Sequence, residues 1–236
     1  MAFQWGSPTI NDNNDGNSTT LVLDKPDDVA EGTLLFTFLR SDDDGTTTHT
    51  TLSPWQLIGS QGDSSSSDTR ISAYYLVAGA SEPSTYTWTQ SLSMRFAGMC
   101  VVLSGADTAD VIDVSTFIDD DVWDANITCP SVVATDDDGL LVTFHGGTGG
   151  RINTPPGGHS KLWDIYPDFG SDGGAGGSVG YETLSSSGAT GTRVWTRSGD
   201  DRDCVSSFII NIAPPVVGTW GKRIDLDNHR IVRVVR

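Results

Sequence analysis

Gly32-Thr33-Leu34-Leu35-Phe36-Thr37-Phe38 has a near copy roughly a hundred residues on, in Asp138-Gly139-Leu140-Leu141-Val142-Thr143-Phe144. Each is a short apolar run rich in β-forming residues and bounded by turn residues, the pattern of a core strand. The match extends outward. From Pro26 the chain reads PDDVAEGTLLFTFLRS, LSPWQLIG, RISAYYLVAGA, TYTWTQS and MRFAGMCVVLSG. From Pro130 it reads PSVVATDDDGLLVTFHGG, TPPGGHSKLWDIY, GSVGYETLSSSGA, TRVWTRS and DRDCVSSFIINI, in the same block order. Five blocks in one order point to an internal duplication, and two copies are too few for a solenoid.

The turn clusters SDDDG, GSQGDSSSSD, ASEPS, TDDDG, GGTGG, PDFGSDGGAGG and RSGDD separate these runs. Ten to twelve short strands at such spacing predict an all-β protein, an antiparallel β-sandwich of jelly-roll type. Four or five short strands close a core poorly alone, so the two halves are expected to share one sandwich rather than form two abutting ones. The expected layout is an N-terminal segment over 1–17, a sandwich over 18–213 with halves of about 18–118 and 119–213, and a basic arm over 214–236. The core candidates are Leu34, Phe36, Phe38, Trp55, Tyr75, Trp88, Cys100, Val102, Leu141, Phe144, Trp163, Tyr181, Trp195, Cys204, Phe208 and Ile210.

Composition supports the strand reading. The 236 residues include 28 Asp, 26 Thr, 26 Ser and 27 Gly, all poor helix formers, against 3 Lys and 11 Arg. A net charge of -17 repels phosphate and argues against nucleic acid as a partner. An Asp-rich, Lys-poor surface stays hydrated in molar salt and resembles that of halophile proteins. No run approaches a membrane span, and MAFQWGSPTINDNND lacks the order of a signal peptide. Cys100, Cys129 and Cys204 have no metal-site spacing and read as small buried hydrophobes.

Ala213-Pro214-Pro215 ends the second half, because consecutive prolines cannot continue a ladder. The following VVGTWGKRIDLDNHRIVRVVR carries Lys222, Arg223, Arg230, Arg233 and Arg236 against two acids, a net of +3 that leaves -20 for the rest. Its alternation, broken at Asp227-Asn228-His229, predicts a small hairpin or arm that docks on an acidic partner or folds back on its own sandwich; on the favoured partner reading those five cations are the candidate partner-binding residues.

Catalytic patterns are missing. No G-x-S-x-G is present, and His145-Gly146-Gly147 reads as a strand-exit glycine loop rather than an oxyanion loop. His49, His145, His159 and His229 form no close ligand pair and read as surface histidines. Gly173 to Gly180 lacks a phosphate-cradle pattern and reads as a loop. The chain is therefore expected to be no enzyme. Asn11 to Gly16 matches an EF-hand loop only in part, since Val22 stands where a bidentate Glu belongs. Oxygen-rich triplets leave one cation option, a calcium-like site at Asp42, Asp43 and Asp44 or at Asp136, Asp137 and Asp138. No cofactor is expected beyond such bound calcium, magnesium or sodium.

The blocks GTLLFTFL, LSPWQLIG, AYYLVAGASEPSTYTWT, VVLSGADTADVID and GYETLSSSGATGTRVWT resemble β-sandwich virion-associated structural proteins of tailed phages and haloarchaeal tailed viruses, over residues 18 to 213. Thr33 stands where that pattern has Asp, and Pro54-Trp55 where it has Gly-Trp. The resemblance implies a virion component at the particle surface, a capsid decoration or turret subunit or a tail protein, and specifies no active site. Its implied partners are a major capsid protein or tail proteins and further copies of the chain, with a host-surface glycan as the alternative and neither nucleic acid nor membrane insertion expected.

Overall fold

The structure, a computed structural model, describes residues 3–12, 16–42, 46–63, 69–148, 153–165, 175–213, 221–225 and 230–234. The first part of the chain forms β1 (Gln4–Trp5), β2 (Thr9–Asp12), β3 (Ser18–Asp24), β4 (Leu34–Asp42), β5 (His49–Thr50), β6 (Gln56–Gly62), β7 (Thr69–Val77), β8 (Thr85–Met94) and β9 (Phe96–Ser104). Next come β10 (Ile112–Cys129), β11 (Val133–Ala134), β12 (Leu140–Thr148), β13 (Asn153–Thr154), β14 (Ser160–Ile165), β15 (Ala175–Thr183), β16 (Gly188–Ala189) and β17 (Arg193–Ile210). A hairpin of β18 (Gly221–Asp225) and β19 (Arg230–Val234) follows. All the pairings are antiparallel, and none of the described residues lies in an α-helix.

Two six-stranded sheets dominate. The first runs β1-β9-β4-β7-β6 with β2 also on β9, and the second runs β10-β17-β12-β15-β14 with β13 on β17. The strand orders correspond: β4 and β12 are central, β7 and β15 flank them, and β6 and β14 form an edge. Both edges carry a register shift at the same place, between Leu57 and Gly59 and between Lys161 and Trp163. Residues 4–12, expected ahead of the sandwich, enter the first sheet beside β9.

The sheets pack face to face. Leu34, Phe36 and Phe38 of β4 and Met99, Val101 and Leu103 of β9 meet Leu140, Val142 and Phe144 of β12 and Phe208 and Ile210 of β17 in one shared core. At its centre the Phe38 and Phe144 rings are 5.3 Å apart and edge-on. These rings occupy corresponding positions of the two central strands, so the sheets meet through matching faces.

The outer faces are covered as well. The three-stranded sheet β3-β8-β5 lies over the first sheet, burying Leu21, Leu23, Tyr86 and Trp88 against Leu35, Leu39, Tyr74 and Trp55. On the second sheet the same role falls to the returning ends of that sheet's own long strands and to the small sheet β11–β16. Ile127 and Cys129 of β10 and Trp195 of β17 form a small core with Val205, and Val132, Ala134, Leu141 and Ile209 form another. Central strands enclosed on both sides need apolar residues at every position, which is why the Leu34–Asp42 run is buried over its first eight residues. In β8, which has one wet face, buried and exposed positions alternate.

Several sequence expectations are corrected. Much of Gly173 to Gly180 is strand β15 rather than a loop, and its glycines make room: a Cβ on Gly180 would lie 2.7 Å from Cζ2 of Trp195. The RSGDD cluster and Asp119 to Asp121 lie inside β17 and β10 rather than in separate turns. His145 and His159 are buried, not on the surface, His49 is half-buried, and His229 lies outside the described residues. Gly146 and Gly147 continue strand β12 instead of leaving it. All three cysteines are buried and unpaired, and burial pushes the Cys100 thiol up to about 12, which leaves it inert as a nucleophile.

Candidate functional site

The corresponding strands run the same way, so the sandwich has two distinct ends. At one end, β4, β12, β10 and β17 meet in a buried ionic cluster. Arg40 is fully buried, donates from Nε to Thr69 Oγ1 at 3.1 Å and reaches across to the other sheet, where its Nη2 donates to the Gly147 carbonyl. Gly146 seats this side chain, because a Cβ there would lie 2.7 Å from Arg40 Cγ. On the far side of the same strand, Asp203 takes Arg197 Nη1 at 2.6 Å and His145 Nδ1 at 3.3 Å, with all three side chains at most 3% exposed. A cluster so closed to solvent holds strands in place. It offers no opening to a substrate.

A second polar group gathers around His49 in the first sheet. Ser41 Oγ lies 2.6 Å from His49 Nε2, a spacing a serine nucleophile would use. The other ring nitrogen faces the Ser72 hydroxyl at 2.8 Å rather than a carboxylate, and Ser41 is fully buried and also donates to Gln90. Burial, aided by the Arg70 charge, lowers the His49 pKa to about 3. The ring is neutral and stacks on Phe96 at 5.1 Å.

At the opposite end, a groove of about 290 Å³ is lined by Glu182, Ser185, Ser186, Ser187, Thr190 and Arg193. Arg193 donates from Nε to Glu182 Oε1 at 2.9 Å and from Nη1 to the Thr190 carbonyl at 2.5 Å, so it pins the loop that forms the groove. Glu182 Oε2 lies 3.4 Å from Nδ1 of His159, whose imidazole burial holds below its usual pKa. Hydroxyls and one ion pair line this groove, without a nucleophile and base in contact.

The residues singled out in the sequence fall in different places. Asp42 ends β4 and sits 3.4 Å from Arg95 Nη1, and Asp43 and Asp44 lie outside the described residues. Asp137 Oδ1 accepts from the Ser187 backbone N–H at 2.5 Å, which holds that carboxyl below its usual range. Asp138 adopts a φ of 66°, a left-handed conformation Asp tolerates, and Asp136 is exposed. Among the described residues no three His, Cys, Asp or Glu side chains gather as a metal site would need. Lys222 pairs with Arg233 in the β18–β19 register, Arg223 with Val232 and Asp225 with Arg230, and Arg236 lies outside the described residues. Among the described residues the hairpin is a two-stranded sheet of its own, with no ladder to either large sheet.

One surface feature had no sequence signal. In β10 the register passes from Asp120 opposite Asp203 to Asp124 opposite Asp201, so three residues face Arg202 alone. This bulge turns Val122 and Trp123 outward, 56% and 60% exposed, whereas Trp55, Trp88, Trp163 and Trp195 are buried.

Comparison with protein-family models, curated proteins and solved structures gives no match to this chain.

Proposed function

We propose that the chain is a non-enzymatic structural component of a viral particle, a capsid decoration, turret or tail-associated subunit at the particle surface. It is held there by protein–protein contacts that include the basic hairpin with Lys222, Arg223, Arg230, Arg233 and Arg236. The observation that carries this reading is a hairpin of net charge +3 that forms a sheet of its own in a chain whose remaining residues carry a net charge of -20. A small strand pair of opposite charge to its own body is suited to docking on an acidic neighbour, and many copies multiply a modest contact into firm attachment. The strand pattern of residues 18–213 and its resemblance to virion sandwiches support the same reading, as does the halophile-like surface for a virus of a salt-loving host. The buried polar clusters, with no opening to a substrate, favour structure over catalysis.

The test is particle binding. Full-length chain and a version with Arg230→Glu and Arg233→Glu are each mixed, in molar salt, with haloarchaeal tailed-virus particles stripped of the protein, then sedimented. Rebinding of the unaltered chain alone is the expected result. Equal rebinding of both removes the hairpin from attachment, and failure of both overturns the reading.

The groove at Ser185 to Ser187, Thr190 and Arg193 favours a second reading, a receptor- or carbohydrate-binding tail module, because hydroxyls beside an ion pair suit a sugar. Binding of the chain to host-surface glycan, lost in Arg193→Ala, would support it over the first.

A further inference from the structure

An exposed tryptophan on an edge strand calls for a partner. Val122 and Trp123 are set outward by a bulge that places three residues against one, a distortion that costs ladder hydrogen bonds. Large aromatic side chains on display are the usual anchors of protein interfaces. The frame around this pair is acidic: Asp119, Asp120, Asp121 and Asp124 share its strand, with Asp200 and Asp201 across the ladder. Arg202 meets Asp121 at 2.9 Å, and the buried Arg197 meets Asp203. Carboxylates still outnumber cations there.

The complementary surface belongs to the chain itself. Segments 221–225 and 230–234 combine Ile224, Ile231, Val232 and Val234 with Lys222, Arg223, Arg230 and Arg233. The last described residue before this hairpin, Ala213, lies at the end of the sandwich opposite the bulge. Ala213 donates its N–H to the Gly105 carbonyl at 2.9 Å, and Ala106 bridges to Ile212. Strand β10 starts at that same end, with Ile112 opposite Ile210, and its eight steps to Asp120 cover about 27 Å. A basic, apolar hairpin and an acidic bulge with an exposed tryptophan, both carried by every copy, suit a heterologous contact in which each copy offers one to the next.

We propose that the basic hairpin of one copy docks on the Val122–Trp123 bulge of a second copy, with its apolar residues against the tryptophan and its cations among the surrounding aspartates. The assembly is head-to-tail, a ring if the rotation closes and a filament if it does not. This deepens the reading of the hairpin as a docking element, on which it rests, by naming a second copy as its partner.

The experiment uses two full-length variants, Trp123→Ser and the double change Arg230→Glu with Arg233→Glu. Circular dichroism and thermal melting first establish that both are folded, and sedimentation velocity then measures assembly over a range of concentrations. The unaltered chain is expected to form concentration-dependent oligomers. Each variant alone is expected to associate at least about thirtyfold more weakly, the scale of losing an interface anchor. An equal mixture is expected to stop at a dimer, because each variant keeps the one surface the other lacks. A monomeric unaltered chain, assembly of Trp123→Ser equal to the parent's, or a mixture that restores nothing overturns the proposal. The particle assay separates the two failures: hairpin-dependent rebinding by a monomeric chain would leave the virion reading standing and sink only the contact between copies.

Discussion

Replacing Phe38 by alanine tests whether the two large sheets share one cooperative core. The ring is fully buried, 5.3 Å from Phe144 at 80° and 6.2 Å from Phe208 at 25°, so it touches two strands of the opposite sheet. A Phe→Ala change at such a site costs about 3–5 kcal/mol, from lost transfer energy and the cavity left behind. In a chain of this size that lowers Tm by about 6–20 °C. Phe144→Ala should cost a similar amount. The double variant should cost less than the sum by about 0.5–1.5 kcal/mol, the worth of an edge-on aromatic pair. Trp88 and Trp195 lie in separate outer cores, so their resolved fluorine NMR signals, after labelling the seven tryptophans with 5-fluorotryptophan, report on each sheet in urea. Both signals should move together in the single variant. Zero coupling, or loss of the Trp88 signal ahead of an unchanged Trp195 transition, would refute the shared core and leave two independent sandwiches in contact.

Three further outcomes follow from local geometry. Gly59→Ala should destabilise by about 1–3 kcal/mol, because its Cβ would lie 2.2 Å from the Phe117 ring, and Phe117→Leu in the same chain should recover part of that loss in thermal melts. Asp203→Ala leaves the Arg197 guanidinium buried without its carboxylate and should cost about 3–5 kcal/mol in urea unfolding, whereas a loss below 1 kcal/mol would mean the cluster is dispensable. The folded His49 pKa of about 3 lies below the ordinary 6.5, so between these values the unfolded chain binds more protons. Stability should therefore fall as pH drops from about 6.5 toward 3, His49 adding at most about 1.4 kcal/mol per pH unit, with His159 acting in the same direction. His49→Gln should flatten that slope in melts across the window, and an unchanged slope would remove His49 as its source.

Strands and core residues were legible because the signals are local. Leu34, Phe36, Phe38, Trp88, Phe144, Trp195 and Phe208 announce themselves by apolar runs and turn boundaries, and all are buried. Tyr75 and Tyr181 are only partly buried, packed at the margin of the shared core. Layering was not legible, because a strand covered on both faces loses the alternation that tells one face from the other. Arg40 and His145 were missed for a different reason. A charge or imidazole at the end of an apolar run reads as a strand leaving the core, and only the glycines opposite reveal that the strand continues with space for a buried partner. The Trp123 bulge arises from a mismatch between strands some eighty residues apart, which no local pattern records. For the hairpin, the local alternation on either side of Asp227-Asn228-His229 sufficed to place both strands.

The closure of each sheet by a late strand bears on how the protein is made. The first sheet can be completed once β9 has left the ribosome, yet the inner face of Leu34, Phe36 and Phe38 stays bare until β12 and β17 exist. Synthesis of the intervening residues, from Ser104 to Ile210, takes about 5–20 s at ordinary elongation rates. For that interval the nascent chain shows an apolar surface of the kind that neighbouring copies on a polysome would bind. Pausing within residues 105–139 would lengthen the exposure, and faster translation of this stretch should raise the yield of soluble protein.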